Sequence, residues 1–184
     1  FYCTASPSMD ILISSNLERL LFILSGYDAE KTAEYMRELS VDGKYSVDSD
    51  LYKKISELFD AGYCDDNATK ATINEIFKKY DYLCDTHTAV AVNVYEEYTK
   101  RTGDDTPTVI ASTANPYKFS ASVLSAITDD IKSEDEFSMV EELFEKSKEP
   151  VPPQLATLKG KAPRFTRVSD KEDMAQVVFD MLGI

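Results

Sequence analysis

The stretch that decides the fold is Pro107–Phe119, which has the sequence PTVIASTANPYKF. Its first five residues form a short β-branched run between turn signals, a pattern typical of a buried strand. Asn115 is a good N-cap and Pro116 a good first residue for the helix that should follow. Ser112 and Thr113 lie in the turn between them. A strand that leads directly into a helix indicates an α/β fold.

Helices dominate the rest of the chain. Each predicted helix combines a stripe of apolar residues with a capping residue at its start, or with a glycine or proline at its end. The clearest one begins with the capping box Ser15–Glu18, carries leucines three or four positions apart, and ends at Gly26. The others are expected from Asp28 to Asp42, Asp48 to Gly62, Asn67 to Tyr80, Asp85 to Gly103, Asn115 to Ile127 and Glu134 to Lys148, and from a second capping box, Ser169–Glu172, to Gly183.

The sequence predicts no other buried strands that could form a sheet with Pro107–Ala111. A strand that is apolar on both faces needs strands on each side and helices above and below it. We therefore expect these neighbours in sequence outside this chain, and its start at Phe1 rather than Met agrees. The predicted class is a helix-rich α/β fold with an incomplete sheet. We expect a first region at 1–149 and a second at 150–184, which holds a proline-rich connection, a short edge strand at Arg164–Val168 and a C-terminal helix.

Composition excludes several classes of partner. The chain has 33 acidic and 20 basic residues and a net charge of −13, so nucleic acids and anionic membrane surfaces are disfavoured as partners. No apolar run approaches the roughly 18 residues that a membrane span needs. The three cysteines lack C-x-x-C spacing, which argues against a disulfide framework or a zinc site and favours a reducing, cytoplasmic location.

Two places are candidates for functional side chains. Ser112 and Thr113 follow the predicted strand and precede a helix, where open α/β sheets bind ligands; the alternative is that they only cap the turn. His87 is the only histidine and lies near Cys84 and Asp85 in sequence. Three potential ligands within one turn need not converge, so we expect a neutral histidine that packs or caps. We assign no metal site and no nucleophilic triad.

Three segments together resemble a known family. They are Ser6–Phe22 (SPSMDILISSNLERLLF), Asp85–Ala91 (DTHTAVA) and Ser112–Phe119 (STANPYKF). In the same order, they closely resemble the C-terminal part of threonine synthases. The first segment is highly specific. The second departs from the family at Thr86, where its members usually have proline, and this change relaxes the entry to the helix.

The resemblance implies a pyridoxal-phosphate enzyme of the tryptophan-synthase-β-like family, fold type II. Such an enzyme is a carbon–oxygen lyase that converts O-phosphohomoserine and water to threonine and phosphate. The family uses a lysine that holds the cofactor as a Schiff base and then moves protons on the substrate. This lysine lies far upstream in a Lys-Asp-Phe motif, and neither that motif nor a glycine-rich phosphate loop occurs here. We therefore expect this chain alone to be inactive, and we assign it no catalytic residue.

The resemblance gives Thr113 a role in cofactor binding. The corresponding threonine of the family is implied to hydrogen-bond the pyridine nitrogen of pyridoxal phosphate, and a hydroxyl can donate to an unprotonated nitrogen. Lys118 lies in the following turn and faces either the substrate phosphate or solvent. The substrate-binding role of Lys118 is thus one of two alternatives.

Two other functions are open at this point. One is a helical interaction module without a ligand. The other is a related pyridoxal-phosphate lyase such as a serine or threonine dehydratase, against which the segment Ser6–Phe22 argues. The partners that the resemblance implies are the missing N-terminal part of the same chain and O-phosphohomoserine; it leaves the oligomeric state open, with an oligomer as one option.

Overall fold

The computed structural model describes residues 2–184, which form helices joined by turns and irregular segments. The α-helices are α1 (Ser15–Leu24), α2 (Ala29–Asp42), α3 (Ser49–Leu58), α4 (Asp66–Tyr80), α5 (Thr86–Thr102), α6 (Ser120–Ile127), α7 (Glu136–Ser147), α8 (Pro153–Ala156) and α9 (Met174–Leu182). Short 3₁₀ turns cover Pro7–Met9, Pro116–Phe119 and Lys171–Asp173. The prediction of a largely helical chain is confirmed.

The chain divides into two compact units, the first of which ends at Pro150. In this unit α4 packs against α5 and α6, and α6 packs against α7. Ile73 of α4, Leu124 of α6 and Leu143 of α7 are fully buried. Helices α1, α2 and α3 enclose a cluster of Leu21, Tyr35 and Leu51. The unit is therefore held together by apolar helix faces, as the stripes in the sequence predict.

The second unit begins at Val151 and contains α8 and α9. Arg167 forms an ion pair with Asp180 of α9, with 2.7 Å between Nη1 and Oδ2. The predicted edge strand at Arg164–Val168 is wrong, because this segment has no regular structure and Val168 is exposed. The second capping box is also wrong: the chain enters a 3₁₀ turn at Lys171, and no side chain caps it.

Helix starts are set by local capping. Aspartates 28, 48, 65, 85 and 135 each accept a backbone N–H of the helix that follows, as does Asn115 at its 3₁₀ turn. The first helix differs from the prediction by one residue. Ser14, with an extended backbone, is its N-cap and accepts from the N–H of Leu17 at 3.2 Å, whereas Ser15 is already helical. An N-cap must have a non-helical backbone, which Ser14 has and Ser15 does not.

The third helix is shorter than predicted, because it ends at Leu58 rather than near Gly62. Gly62 has a different role. A Cβ atom at this position would lie 2.8 Å from Cγ1 of Val94 on α5, closer than such atoms approach. A glycine at position 62 therefore allows the irregular segment after α3 to pass directly over α5.

The segment Pro107–Ala111 is not paired as a strand in this chain. The described residues contain no β-strand, and the side chain of Val109 is 94% exposed. A β-branched run is buried in a sheet only when neighbouring strands supply the backbone partners. The prediction of a buried strand is thus not met within residues 2–184.

No described helix is both long enough and apolar enough to cross a bilayer.

Asp48 should link the stability of the helices α2 and α3 to pH. The ammonium group of Lys31 and the N–H of Leu51 bind this carboxylate and hold its pKa well below the usual value. Because the pKa is lowered in the folded state, the stabilisation is present above pH ~4 and is lost as the pH falls further. In urea denaturation, the Asp48→Asn variant should be less stable than the parent at pH 6, and the difference should shrink at pH 3.

Asp42 provides the control for this experiment. Its carboxylate is exposed at the end of α2, and no side-chain partner is recorded for it among residues 2–184. The difference in free energy of unfolding between the Asp42→Asn variant and the parent should not shrink comparably between pH 6 and pH 3. Equal behaviour of the two variants would contradict the assigned role of Asp48.

Candidate functional site

The start of α5 is a buried polar cluster around Asp85. This carboxylate is fully buried, and its Oδ1 atom accepts the backbone N–H groups of His87 and Thr88 at 2.8 and 3.3 Å. Its Oδ2 atom accepts the hydroxyl of Thr88 at 2.5 Å. Thr86, His87 and Thr88 are buried as well. Buried polar groups are stable only when they are hydrogen-bonded, and here one carboxylate satisfies several donors.

His87 is a neutral side chain inside this cluster. Its Nε2 atom accepts the backbone N–H of Ser8 at 3.0 Å, so Nε2 carries no proton. The remaining ring proton lies on Nδ1, which is 3.1 Å from Oδ1 of Asp85. The imidazole also packs against the ring of Phe119, with 4.6 Å between centroids. Both nitrogens are therefore occupied, in agreement with the packed, neutral histidine expected from the sequence.

These contacts bring together the three segments that carry the family resemblance. Ser8 belongs to Ser6–Phe22, His87 to Asp85–Ala91 and Phe119 to Ser112–Phe119. The contact between Ser8 and His87 spans 79 residues of sequence. Sequence reasoning could not find it, because the partner is a backbone N–H, which every residue except proline carries.

Ser112 ties the irregular segment before the 3₁₀ turn to the cluster. Its Oγ atom is 3.0 Å from Oγ1 of Thr88 and 3.4 Å from the hydroxyl of Tyr82. The next residue, Thr113, is exposed, and no hydrogen bond of its hydroxyl is recorded within residues 2–184. The hydroxyl of Thr113 is thus available to a ligand, whereas that of Ser112 is bound within the protein.

Lys118 lies in the 3₁₀ turn Pro116–Phe119 and is exposed. The turn itself is fixed by Asn115, which accepts the N–H of Tyr117 at 3.0 Å. The buried hydroxyl of Tyr117 in turn donates to the carbonyl of Glu149 at 2.5 Å. Sequence reasoning missed this anchor as well, since its acceptor is a backbone carbonyl beyond α7.

Cys84 adjoins the cluster, and its surroundings disfavour a role as a nucleophile. Burial of the thiol, together with the nearby negative charge of Asp85, raises its pKa to about 12. A thiol is nucleophilic only as the thiolate, which is scarce far below the pKa. The described residues contain no group of three or more metal-ligating side chains.

A groove of about 950 Å³ runs beside α5. The segments 56–63 and 106–111 line two sides, and Val94 and Tyr95 of α5 also line it. Ala111, in the wall of the groove, directly precedes Ser112. Apolar side chains, including those of Val109 and Ile110, thus line an open groove whose last lining residue, Ala111, precedes Thr113 by two positions.

Comparison with known proteins gives one family. Residues 88–178 match a family model described as "Threonine synthase, C-terminal". A threonine synthase of Pseudomonas aeruginosa is 39% identical over 121 residues, which are 66% of this chain and 25% of that protein. The chain thus spans about a quarter of the length of this curated relative.

Solved structures give the same family. A pyridoxal-phosphate-bound threonine synthase of Brucella melitensis matches with a TM-score of 0.58 and 37% identity, over 67% of this chain and 26% of that one. The crystal structure of threonine synthase from yeast matches with a TM-score of 0.76 and 28% identity. That match covers 99% of this chain and 37% of the yeast chain.

Proposed function

Because the chain belongs to the threonine synthase family and corresponds to its C-terminal part, we propose that it completes an enzyme that converts O-phosphohomoserine and water to threonine and phosphate. The observation that carries this proposal is the hydroxyl of Thr113, which has no recorded partner within residues 2–184 and directly follows the buried cluster where the three family-like segments meet. In the full-length enzyme, the cofactor is pyridoxal phosphate.

The groove beside α5 supports the proposal that an N-terminal part of the enzyme packs against this chain. Val109 is 94% exposed, although the run Pro107–Ala111 has the composition of a buried strand. Burial of such a run in a sheet removes apolar surface from water and satisfies its backbone groups. We propose that the N-terminal part supplies the strands that cover it, so that the fold is completed as a sheet of fold type II.

Thr113 fits the ring nitrogen of pyridoxal phosphate. A carboxylate beside the ring nitrogen would favour its protonated form, but the segment Ser112–Phe119 contains no carboxylate. A neutral hydroxyl donates instead to an unprotonated nitrogen and orients the ring without adding charge. When bound, the cofactor supplies an electron-withdrawing ring that promotes loss of protons from the substrate. Thr113 binds and orients that ring, and Lys118, one turn further on, is proposed to attract the substrate phosphate.

The lysine that holds the cofactor is proposed to lie in the N-terminal part. The sequence Lys-Asp-Phe occurs nowhere in the 184 residues. Without an amine at that place, protons cannot be moved between substrate carbons. This chain is therefore proposed to contribute binding and orientation, but no proton transfer.

The reaction can be tested with the full-length enzyme. Incubation with O-phosphohomoserine should release threonine and phosphate in equal amounts, measured by amino-acid analysis and a phosphate assay. Incubation with serine or threonine should give little 2-oxo acid. Preferential formation of 2-oxo acids would favour a dehydratase, and no reaction with any of these substrates would favour a non-catalytic module.

A further inference from the structure

The irregular segment that carries Thr113 is anchored near each of its ends. Residues 103–114 have no regular secondary structure. At the start, Asp104 accepts the hydroxyl of Tyr98 on α5 at 2.7 Å. Near Thr113, the hydrogen bonds recorded among residues 2–184 between the segment and other elements involve the hydroxyl of Ser112, with Thr88 and Tyr82 as partners. A segment without helix or strand bonds depends on such contacts for its position.

Of the two partners of Ser112, Thr88 is the rigid one. The side chain of Thr88 is 5% exposed, and its hydroxyl also contacts the fully buried carboxylate of Asp85. Asp85 in turn is fixed by the first N–H groups of α5. Tyr82, by contrast, is 47% exposed, and its hydroxyl is further away at 3.4 Å.

The hydroxyl of Thr88 is not needed to cap α5. The N-cap bonds of Asp85 are made by the backbone N–H groups of His87 and Thr88, which any residue at position 88 would supply. The contact that the hydroxyl alone supplies to another segment is the one with Ser112. Its loss should therefore loosen residues 105–114 while the helix remains capped.

We propose that Thr88 is a positioning residue for cofactor binding: it holds Ser112 and thereby sets the place of the adjacent Thr113 hydroxyl. This inference rests on the proposed function. Neighbouring Cα atoms are ~3.8 Å apart, so fixing Ser112 restricts Thr113 to a small volume. A displacement of about 1 Å at a reacting or orienting group can cost up to ~100-fold in rate, so a modest shift is measurable.

The test compares substitutions in the full-length holoenzyme. The Thr88→Val variant keeps the shape of the side chain and removes the hydroxyl, whereas Thr88→Ser keeps the hydroxyl. The matched control is Thr72→Val, because Thr72 is a buried helical threonine, 6% exposed, whose hydroxyl accepts from Asn93 and does not touch Ser112. All variants are compared in kcat, in the dissociation constant of pyridoxal phosphate, and in hydrogen exchange of the peptide that covers residues 105–114.

We expect Thr88→Val to weaken cofactor binding and lower kcat by about 10-fold each, and to speed hydrogen exchange in residues 105–114. Thr88→Ser should stay within about 3-fold of the parent, and Thr72→Val within about 2-fold without faster exchange in this segment. The inference is overturned if the Thr88→Val variant behaves like Thr72→Val in hydrogen exchange. It is also overturned if the two variants behave alike in both cofactor binding and kcat.

A double variant shows whether Thr88 acts through Thr113. In the Thr113→Ala background, Thr88→Val should weaken cofactor binding by less than about 2-fold further, because the hydroxyl that it positions is already gone. A full additional 10-fold loss would overturn the inference. If the parent enzyme itself neither binds pyridoxal phosphate nor forms threonine, the proposed function fails, and the inference that rests on it is overturned too. If the parent enzyme is active but the Thr88 variants do not differ from it in the measured quantities, the inference alone fails.

Discussion

Replacing Asp85 by alanine is expected to lower the free energy of unfolding by about 3 kcal/mol. The substitution removes the N-cap of α5 and leaves the backbone N–H groups of His87 and Thr88 and the Nδ1–H of His87 buried without this acceptor. Each buried donor that loses its acceptor costs about 1 kcal/mol or more. Urea denaturation followed by circular dichroism measures the difference.

An exposed cap provides the comparison for Asp85. Asp28 caps α2 by accepting the N–H of Lys31 at 2.9 Å, but it lies on the surface. Asp28→Ala should therefore cost only about 1 kcal/mol. Equal losses for the two variants would mean that the buried cluster around Asp85 adds nothing beyond an ordinary helix cap.

The Thr113→Ala variant of the full-length enzyme is expected to lose about 10- to 100-fold in turnover, with an unchanged melting temperature. The loss corresponds to the hydrogen bond proposed between Thr113 and the cofactor ring, and stability is preserved because the side chain is exposed and its hydroxyl has no recorded partner within the described chain. Steady-state kinetics with O-phosphohomoserine and the absorbance spectrum of the bound cofactor measure the effect.

Two further variants separate a specific hydroxyl from a general disturbance of the segment. Thr113→Ser keeps the hydroxyl and should retain turnover within about 3-fold. Thr106→Ala removes another exposed threonine from the same irregular segment, outside the run Pro107–Ala111, and should change turnover by less than about 2-fold. Unchanged kinetics and an unchanged cofactor spectrum in Thr113→Ala would remove the assignment.

Helix starts could be predicted from the sequence because capping is local. Asp28, Asp48 and Asp85 each bond to an N–H within three residues, so the pattern and its partner lie in one window of sequence. The same local reasoning erred by one residue at Ser15. Two adjacent serines compete for the N-cap there, and only the backbone conformation decides between them.

Interactions that depend on distant partners could not be predicted. Pro107–Ala111 has the composition of a buried strand, but burial requires other strands, and none is present in residues 2–184. The bond between Ser8 and His87 and the contact between Thr88 and Ser112 join segments that are far apart in sequence. The proposal for Thr113 comes from a local pattern, the turn that precedes a helix, whereas the hydrogen-bonded cluster beside it joins distant segments.

The central claim is that this chain contributes to the binding of a cofactor whose lysine lies elsewhere. The most direct test measures the absorbance of lysine-bound pyridoxal phosphate. We predict that the chain alone, titrated with the cofactor, shows no such absorbance at any pH. The full-length enzyme should show it, and should lose it when the lysine of an upstream Lys-Asp-Phe motif is replaced by alanine. Lysine-bound cofactor in the isolated chain, or its absence from the full-length enzyme, would contradict the account.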